Sequence, residues 1–298
     1  MKNGFPALIK GIQEADQWAA REKWRPLESL LEHYGQVPLK VGEVPPIHGM
    51  GRAYQIRLPL VLFKEYADTA TGDSPFYGFE YDFNDERAAL LSDYKIPEYF
   101  QSDFFDVDPI ARNFYTNNRH LIVGGERTGT NLHFDPKGTS AWNSLLIGRK
   151  KWAIFPPGTD MEYIQKIKTR TCSSGTAPGG PASYWWLDIA PTLPADVGMV
   201  EFIQNPGDTV FVPPGWWHAV INIEFSMAIT QNVLIPESLP FVWAQLRKDW
   251  PKFVQYIESN YPEKLQELGV QDITPSEKRI LSLEDEEFLV EFHSTQNQ

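Results

Sequence analysis

The sequence predicts a mainly β fold: a double-stranded β-helix, of the jelly-roll and cupin-like kind, with N- and C-terminal α-helices packed outside it. In the middle of the chain, short apolar segments alternate with period two and are separated by Pro- and Gly-containing turns. Helical patterns precede and follow these segments. The chain has 298 residues, 42% of them hydrophobic, which is enough for a substantial core. We expect one structural unit with an N-terminal helical flank (1–70), a β-helix core (71–235) and a C-terminal helical cap (236–298).

The predicted helices lie near the two ends of the chain. Residues 25–35 have Pro26 in the first turn, Gly35 at the end and apolar residues at helical spacing between them. This pattern is typical of an amphipathic helix that packs on another element. Residues 241–247 and 252–257 also have helical patterns but share no fixed repeat period, so they indicate a single helical cap.

The predicted strands flank turn residues. Residues 141–147 and 150–155 lie on either side of Gly148, and we expect them to form a hairpin. Three further segments have strand patterns: 207–212, 217–222 and 226–232.

A further strand-like segment, 131–135, and the segment 217–222 together supply a candidate metal site. His133 and Asp135 are two residues apart, so on an extended backbone both side chains lie on the same side. A second imidazole, His218, lies at the start of the later segment 217–222, directly after a Pro-Pro-Gly-Trp-Trp sequence. Two imidazoles and one carboxylate are the ligands of a non-haem Fe(II) oxygenase, in which the remaining metal positions accept a co-substrate and dioxygen. An H-x-D pair alone is a weak signal, and the surrounding strands strengthen it.

Lys150 is a candidate for binding an anion inside the barrel. Strand alternation places it on the same face as Trp152 and Ile154. A lysine on such a face either extends to water or pairs with a buried anion, such as a carboxylate of 2-oxoglutarate. The charge pattern of 149–151 alone also fits a solvated turn.

Thr230 and Asn232 share one face of an otherwise apolar segment, and one of them is a candidate co-substrate contact. The alternative is an interior polar group satisfied by the backbone.

Composition limits the classes of partner. The net charge of −12 disfavours nucleic acid and favours a Lys- or Arg-bearing protein segment; the alternative is simply a soluble acidic protein. We expect no membrane span and no signal peptide, and the single Cys172 excludes an intrachain disulfide. We therefore expect an intracellular protein, cytoplasmic or nuclear, without a basic nuclear-targeting run.

Three segments together resemble the JmjC-domain 2-oxoglutarate oxygenases: 133–143, 148–152 and 207–218. The resemblance extends over about 74–243, and it is strongest to the lysyl hydroxylase and arginine demethylase subgroup. It implies Fe(II) on His133, Asp135 and His218, with 2-oxoglutarate and dioxygen as co-substrates.

The resemblance also implies that Lys150 and Thr230 bind the distal carboxylate of 2-oxoglutarate. Asn143 and Tyr77 are further implied contacts of the co-substrate. Asn232 is a weaker candidate, expected to orient a water molecule or a residue that contacts the co-substrate. For Tyr77 the alternative is an aromatic residue of the barrel wall.

The function that the resemblance implies is hydroxylation of a protein side chain. The preferred reaction is hydroxylation of a lysine side-chain carbon. The alternatives are N-methyl arginine or lysine demethylation by the same chemistry, RNA hydroxylation, and a non-catalytic binding barrel. Residues 169–180 are expected to form a substrate-contacting loop, so substrate choice does not follow from the resemblance. The C-terminal helices are a candidate homodimer surface. The remaining histidines are expected to be structural or exposed: His33, His48, His120 and His293.

Overall fold

A computed structural model describes residues 4–42, 55–160 and 181–274, which form two antiparallel sheets with helices outside them. The strands are β1 (Ala7–Ile9), β2 (Pro38–Gly42), β3 (Gln55–Pro59), β4 (Tyr77–Glu80), β5 (Arg119–Gly124), β6 (Gly129–His133), β7 (Ser140–Ile147), β8 (Lys150–Phe155), β9 (Val200–Gln204), β10 (Thr209–Val212), β11 (Trp217–Asn222) and β12 (Ser226–Val233). The larger sheet has the order β1-β10-β7-β12-β5-β4-β2-β3, and the smaller has the order β6-β11-β8-β9. This arrangement confirms the predicted mainly β fold.

The helices lie before, between and after the strands. They are α1 (Ile12–Ala15), α2 (Ala20–Lys23), α3 (Leu27–Tyr34), α4 (Leu60–Thr69), α5 (Ala88–Leu91), α6 (Pro109–Asn113), α7 (Ala182–Tyr184), α8 (Leu239–Asp249), α9 (Pro251–Asn260) and α10 (Pro262–Glu267). A π-helical turn, Trp185–Ile189, continues α7. Within the described ranges no helix has the length and apolarity needed to cross a membrane.

The inner faces of the two sheets pack against each other. Trp152 and Ile154 of β8 join Val210 and Val212 of β10 in one buried apolar cluster. The opposite face of the larger sheet carries Trp142, which packs in a second cluster with the N-terminal helices. The alternation of each strand therefore separates a barrel interior from an outer core.

The predicted hairpin at 141–155 is wrong. β7 pairs with β10 and β12 in the larger sheet, whereas β8 pairs with β9 and β11 in the smaller one. The chain crosses between sheets at Gly148, whose φ of 78° is left-handed. Local turn signals could not distinguish this crossing from a hairpin, because both require a tight turn.

The predicted helix at 25–35 is present as α3, with Leu30 and Tyr34 buried. The N-terminal segment also contributes β1, β2 and β3 to the larger sheet, in addition to the expected helices. These strands have three to five residues each, too few for a clear alternation signal.

The C-terminal helices pack with α6 around their own apolar cluster. This cluster contains Phe253, Trp243 and Leu246, together with Phe105 and Phe114. This cluster caps the end of the barrel that carries His133, since residues 136–138 contact α8.

Candidate active site

The structure brings His133, Asp135 and His218 together, with one ligand atom from each lying within 4.8 Å of the others. His133 is the last residue of β6, and His218 faces it across the β6–β11 pairing. Asp135 lies two residues past the end of β6 rather than within it. Its backbone is still extended (φ −67°, ψ 140°), so the two-residue spacing keeps its side chain near the imidazoles.

Backbone carbonyls set the orientation of both imidazoles. His133 Nδ1 lies 2.6 Å from the carbonyl oxygen of Asn131, and His218 Nδ1 lies 3.1 Å from that of Trp216. Because a carbonyl oxygen only accepts, each Nδ1 must donate its proton, which places the lone pair on Nε2. A backbone or carboxylate partner on the second nitrogen is common for metal-binding histidines.

Asp135 is buried, and its Oδ2 has no hydrogen-bond partner among the described residues. Its Oδ2 lies 4.0 Å from His218 Nε2. Burial raises the pKa of the Asp135 carboxyl, while His218 and a hydrogen bond from Asn232 act in the opposite direction. A buried carboxylate oxygen without a donor is costly unless a cation neutralises it.

These three side chains fit a metal of the Fe(II) type. They are two neutral nitrogens and one anionic oxygen on one side of a common point, the donor set of a non-haem Fe(II) centre. The unsatisfied oxygen of Asp135 is the observation that most directly indicates a cation.

Lys150 lies deeper in the barrel and is fully buried. Its Nζ donates to Asn222 Oδ1 at 2.6 Å and lies 3.5 Å from the hydroxyl of Tyr77. No carboxylate lies within 4.0 Å of Nζ in the described part of the chain. Burial lowers the pKa of Lys150 to about 7. A buried lysine with only neutral partners is well suited to bind an anionic ligand.

The neighbouring Lys151 points the other way. It pairs with Glu201 at 3.0 Å and lies over the ring of Trp186 on the outer face of β8. The alternation predicted for 150–154 is thus present, and the whole run is not a solvated turn.

Thr230 and Asn143 face the barrel interior from paired positions on β12 and β7. Thr230 Oγ1 donates to the carbonyl oxygen of Trp142 at 2.9 Å, so its lone pairs can still accept. Asn143 Oδ1 accepts from Gln204 Nε2 at 3.3 Å. Asn232, two residues after Thr230 on the same face of β12, donates to Thr139 Oγ1 at 3.1 Å, and its side chain also acts to lower the pKa of Asp135. Contacts of these residues with a co-substrate stay predictions.

Sequence reasoning missed two buried polar residues. Asn222 holds Lys150, and its own amide donates to Thr128 Oγ1 at 2.9 Å. Alternation from His218 places Asn222 on the inner face, so this signal was present. Gln204 faces Lys150 across the β8–β9 pairing and also accepts from Trp152 Nε1 at 2.9 Å. No local sequence pattern indicated this role for Gln204, because its partners depend on the register between β8 and β9.

The remaining predicted features lie elsewhere. His33 is exposed, and His120 is buried with its ring 4.6 Å from that of Phe79. The predicted loop at 169–180 lies outside the described residues, as do His48 and His293.

Comparison with known proteins identifies a matching family for the segment that contains these residues. A scan against family profiles matches residues 120–233 to "JmjC domain, hydroxylase". This range includes the three candidate metal ligands, Lys150 and Thr230.

Several curated proteins are similar over most of the chain. "Lysine-specific demethylase JMJ21" of Arabidopsis thaliana is 36% identical over 239 residues, covering 80% of this chain and 24% of that protein. "Bifunctional arginine demethylase and lysyl-hydroxylase psr-1" of Caenorhabditis elegans is 33% identical over 271 residues, with coverage of 89% and 64%. "2-oxoglutarate and iron-dependent oxygenase JMJD4" of Gallus gallus is 27% identical over 249 residues, with coverage of 78% and 56%. The chain therefore spans less than two thirds of the length of each of these relatives.

Proposed function

This chain belongs to the JmjC-domain family, and from that premise we propose that it is an Fe(II)- and 2-oxoglutarate-dependent oxygenase that hydroxylates a protein side chain. The observation that supports this function best is the pairing of two features in one barrel interior. A two-histidine, one-carboxylate cluster contains an unsatisfied buried carboxylate oxygen. On the same inner surface, Lys150 is buried, and none of the residues that the structure describes offers it a carboxylate. A diacid that binds a metal at one end needs a cation at the other.

The residues have separate roles in this proposal. His133, Asp135 and His218 hold the metal, and the carbonyls of Asn131 and Trp216 fix the two imidazoles. When bound, iron and 2-oxoglutarate supply the oxidising chemistry, in which dioxygen and the co-substrate yield succinate, carbon dioxide and one oxygen atom for the substrate.

Charge neutralisation of the co-substrate falls to Lys150. Asn222 holds its ammonium group, and the Tyr77 hydroxyl lies beside it. Thr230 and Asn143 add hydrogen-bonding groups on the opposite sheet. The apolar residues of the inner faces exclude water around them, which strengthens each electrostatic contact.

For the substrate we propose a lysine-bearing protein segment that is hydroxylated on an alkyl carbon. The net charge of −12 favours a cationic substrate, and the Caenorhabditis elegans relative is named as a lysyl hydroxylase.

Demethylation of N-methyl arginine or lysine is the second candidate. Relatives named as arginine- or lysine-specific demethylases favour it. Hydroxylation of a methyl carbon bonded to nitrogen collapses to formaldehyde, whereas hydroxylation of an alkyl carbon without nitrogen is stable. The barrel geometry is the same for both.

The test is turnover of Lys- and Arg-bearing peptides, with and without N-methyl groups, by the protein loaded with Fe(II) and 2-oxoglutarate. We expect succinate in step with a mass gain of one oxygen and no formaldehyde. Formaldehyde in step with succinate would instead identify a demethylase. If no peptide or protein raised succinate formation and the 2-oxoglutarate turnover alone were absent, the oxygenase proposal would fail.

A further inference from the structure

A polar groove of about 700 Å³ opens beside the mouth of the barrel. It is lined by the segment after β4, by the residues between α6 and β5, and by the paired ends of β5 and β12. This volume is in the range of sites that bind small ligands or peptide segments.

The groove is connected to the candidate metal site by the β5–β12 pairing. Asn118, in its lining, accepts from the backbone N–H of Asn232 at 2.7 Å and donates back to its carbonyl oxygen at 3.1 Å. The side chain of Asn232 in turn reaches Asp135. One residue therefore separates the groove wall from a candidate metal ligand.

The carboxylates that line the groove are already paired. Asp82 lies 2.9 Å from Arg57 and 3.2 Å from Arg87. Asp106 lies 2.6 Å from Arg112. These acids therefore contribute little attraction to a cationic ligand.

Among the described residues, the charged groups of two side chains in the lining, Lys40 and Arg119, have neutral partners. Lys40 Nζ bonds to the hydroxyl of Tyr81 and lies 4.0 Å from the centre of its ring. Arg119 donates to Gln231 Oε1 at 3.3 Å and lies over the ring of Tyr94. In the described ranges 4–42, 55–160 and 181–274, no ion pair joins either side chain to a carboxylate at 4.0 Å or less; the backbone N–H of Lys40 donates to Glu80 Oε2 at 3.0 Å, and that carboxylate is paired with Arg57. Their charge is available to a ligand.

We propose that this groove is a second contact site for the substrate polypeptide, in which Lys40 and Arg119 bind an acidic side chain next to the residue that enters the barrel. The proposal rests on the proposed function in one respect, that the substrate is a polypeptide. It adds a specificity that the barrel lacks: among lysine-bearing segments, those with a nearby Asp or Glu bind more tightly.

Direct binding tests this proposal without turnover. The probes are labelled twelve-residue peptides, each with one central lysine and two glutamates. The position of the two glutamates changes along the series, on either side of the lysine. Each peptide is compared with one that carries glutamines at the same positions. Fluorescence anisotropy with metal-free protein should show tighter binding of glutamate peptides at one preferred position. The difference should be about tenfold, as expected for two partly exposed charge pairs, and should shrink with added salt. A phosphoserine series distinguishes an acid-specific site from a general anion site.

The variant Lys40→Gln/Arg119→Gln should lose this preference. Its matched control is Lys10→Gln/Lys264→Gln, which removes two exposed charges outside the groove and should keep the preference. If the groove variant does not fold, Arg119→Gln alone should show a smaller loss. Equal binding of glutamate and glutamine peptides, or equal behaviour of the groove and control variants, would overturn the proposal. The binding assay contains no iron, so a negative result would overturn the groove proposal without testing the oxygenase proposal. Conversely, a lack of turnover would count against the oxygenase proposal without testing peptide binding in the groove.

Discussion

At the scale of the residue, the buried lysine is the most unusual side chain in the barrel. Lys150 is fully buried among neutral groups, and its pKa falls to about 7 because burial disfavours the ammonium form. A charged group buried among neutral partners costs free energy, which an anionic ligand in contact with it would offset. Two predictions follow from this one side chain.

Lys150→Ala should weaken 2-oxoglutarate binding far more than Lys151→Ala. Lys150 faces the interior, whereas Lys151 pairs with Glu201 on the outer face. Removing one partner of a desolvated charge pair costs on the order of 3 kcal/mol, or about a hundredfold in affinity. Calorimetric titration of both variants with 2-oxoglutarate measures the two affinities. Equal losses would mean that the inner face of β8 does not hold the co-substrate.

The affinity for 2-oxoglutarate should also depend on pH. Above a pKa of about 7, the free protein carries neutral Lys150, so binding of the dianion must take up a proton. Affinity should be constant well below pH 7 and fall by up to about tenfold per pH unit above it. In Lys150→Arg the guanidinium stays charged, so the curve should flatten even if binding is weaker. Equal slopes in both proteins would contradict this assignment.

The sequence predicted single residues well where only local geometry mattered. Two-residue alternation places His133 near Asp135 and turns Lys150 inward without knowledge of the fold. Gln204 could not be predicted, because its role depends on the β8–β9 register and on Asn143 in the opposite sheet. Long-range pairing leaves no local signal.

At the scale of the element, the crossing at Gly148 builds the barrel. It sends β7 into the larger sheet and β8 into the smaller, which brings Asn143 and Lys150 to opposite walls of one interior. The sequence predicted both strands but paired them wrongly as a hairpin. Neighbouring strands in sequence usually pair, and only the packing of two complete sheets overrides that tendency.

Gly148→Ala should therefore be strongly destabilising. A Cβ there would lie 2.2 Å from the carbonyl oxygen of Phe225, in addition to the left-handed backbone. We expect a loss of about 3 kcal/mol or more from the free energy of unfolding. Gly158→Ala is the matched control: Gly158 is also left-handed (φ 93°), but its added Cβ meets open space. It should cost about 1 kcal/mol in the same urea titration. Equal losses of unfolding free energy in the two variants would show that the close packing at Gly148 does not add to the cost of the left-handed backbone.

At the scale of the whole molecule, the C-terminal cap contacts the segment that carries two of the candidate metal ligands. Lys137, two residues after Asp135, lies 4.3 Å and 4.1 Å from the ring centres of Tyr115 and Trp250 and donates to the carbonyl oxygen of Phe114. Its left-handed backbone (φ 58°) is held in place by these contacts. The cap therefore supports the loop that carries the candidate carboxylate ligand. The helical pattern predicted the cap, but not the side of the barrel that it covers.

The measurement that tests the central claim most directly is the metal content and affinity of the purified protein, with Mn(II) or Fe(II) under nitrogen. The wild-type protein should bind one ion. His133→Ala, Asp135→Ala and His218→Ala should each weaken binding by more than about a hundredfold. The control is His120→Gln, which changes a buried barrel histidine that does not belong to the cluster and should keep the ion. Full retention of the metal in the three cluster variants, or its loss only in His120→Gln, would contradict the account.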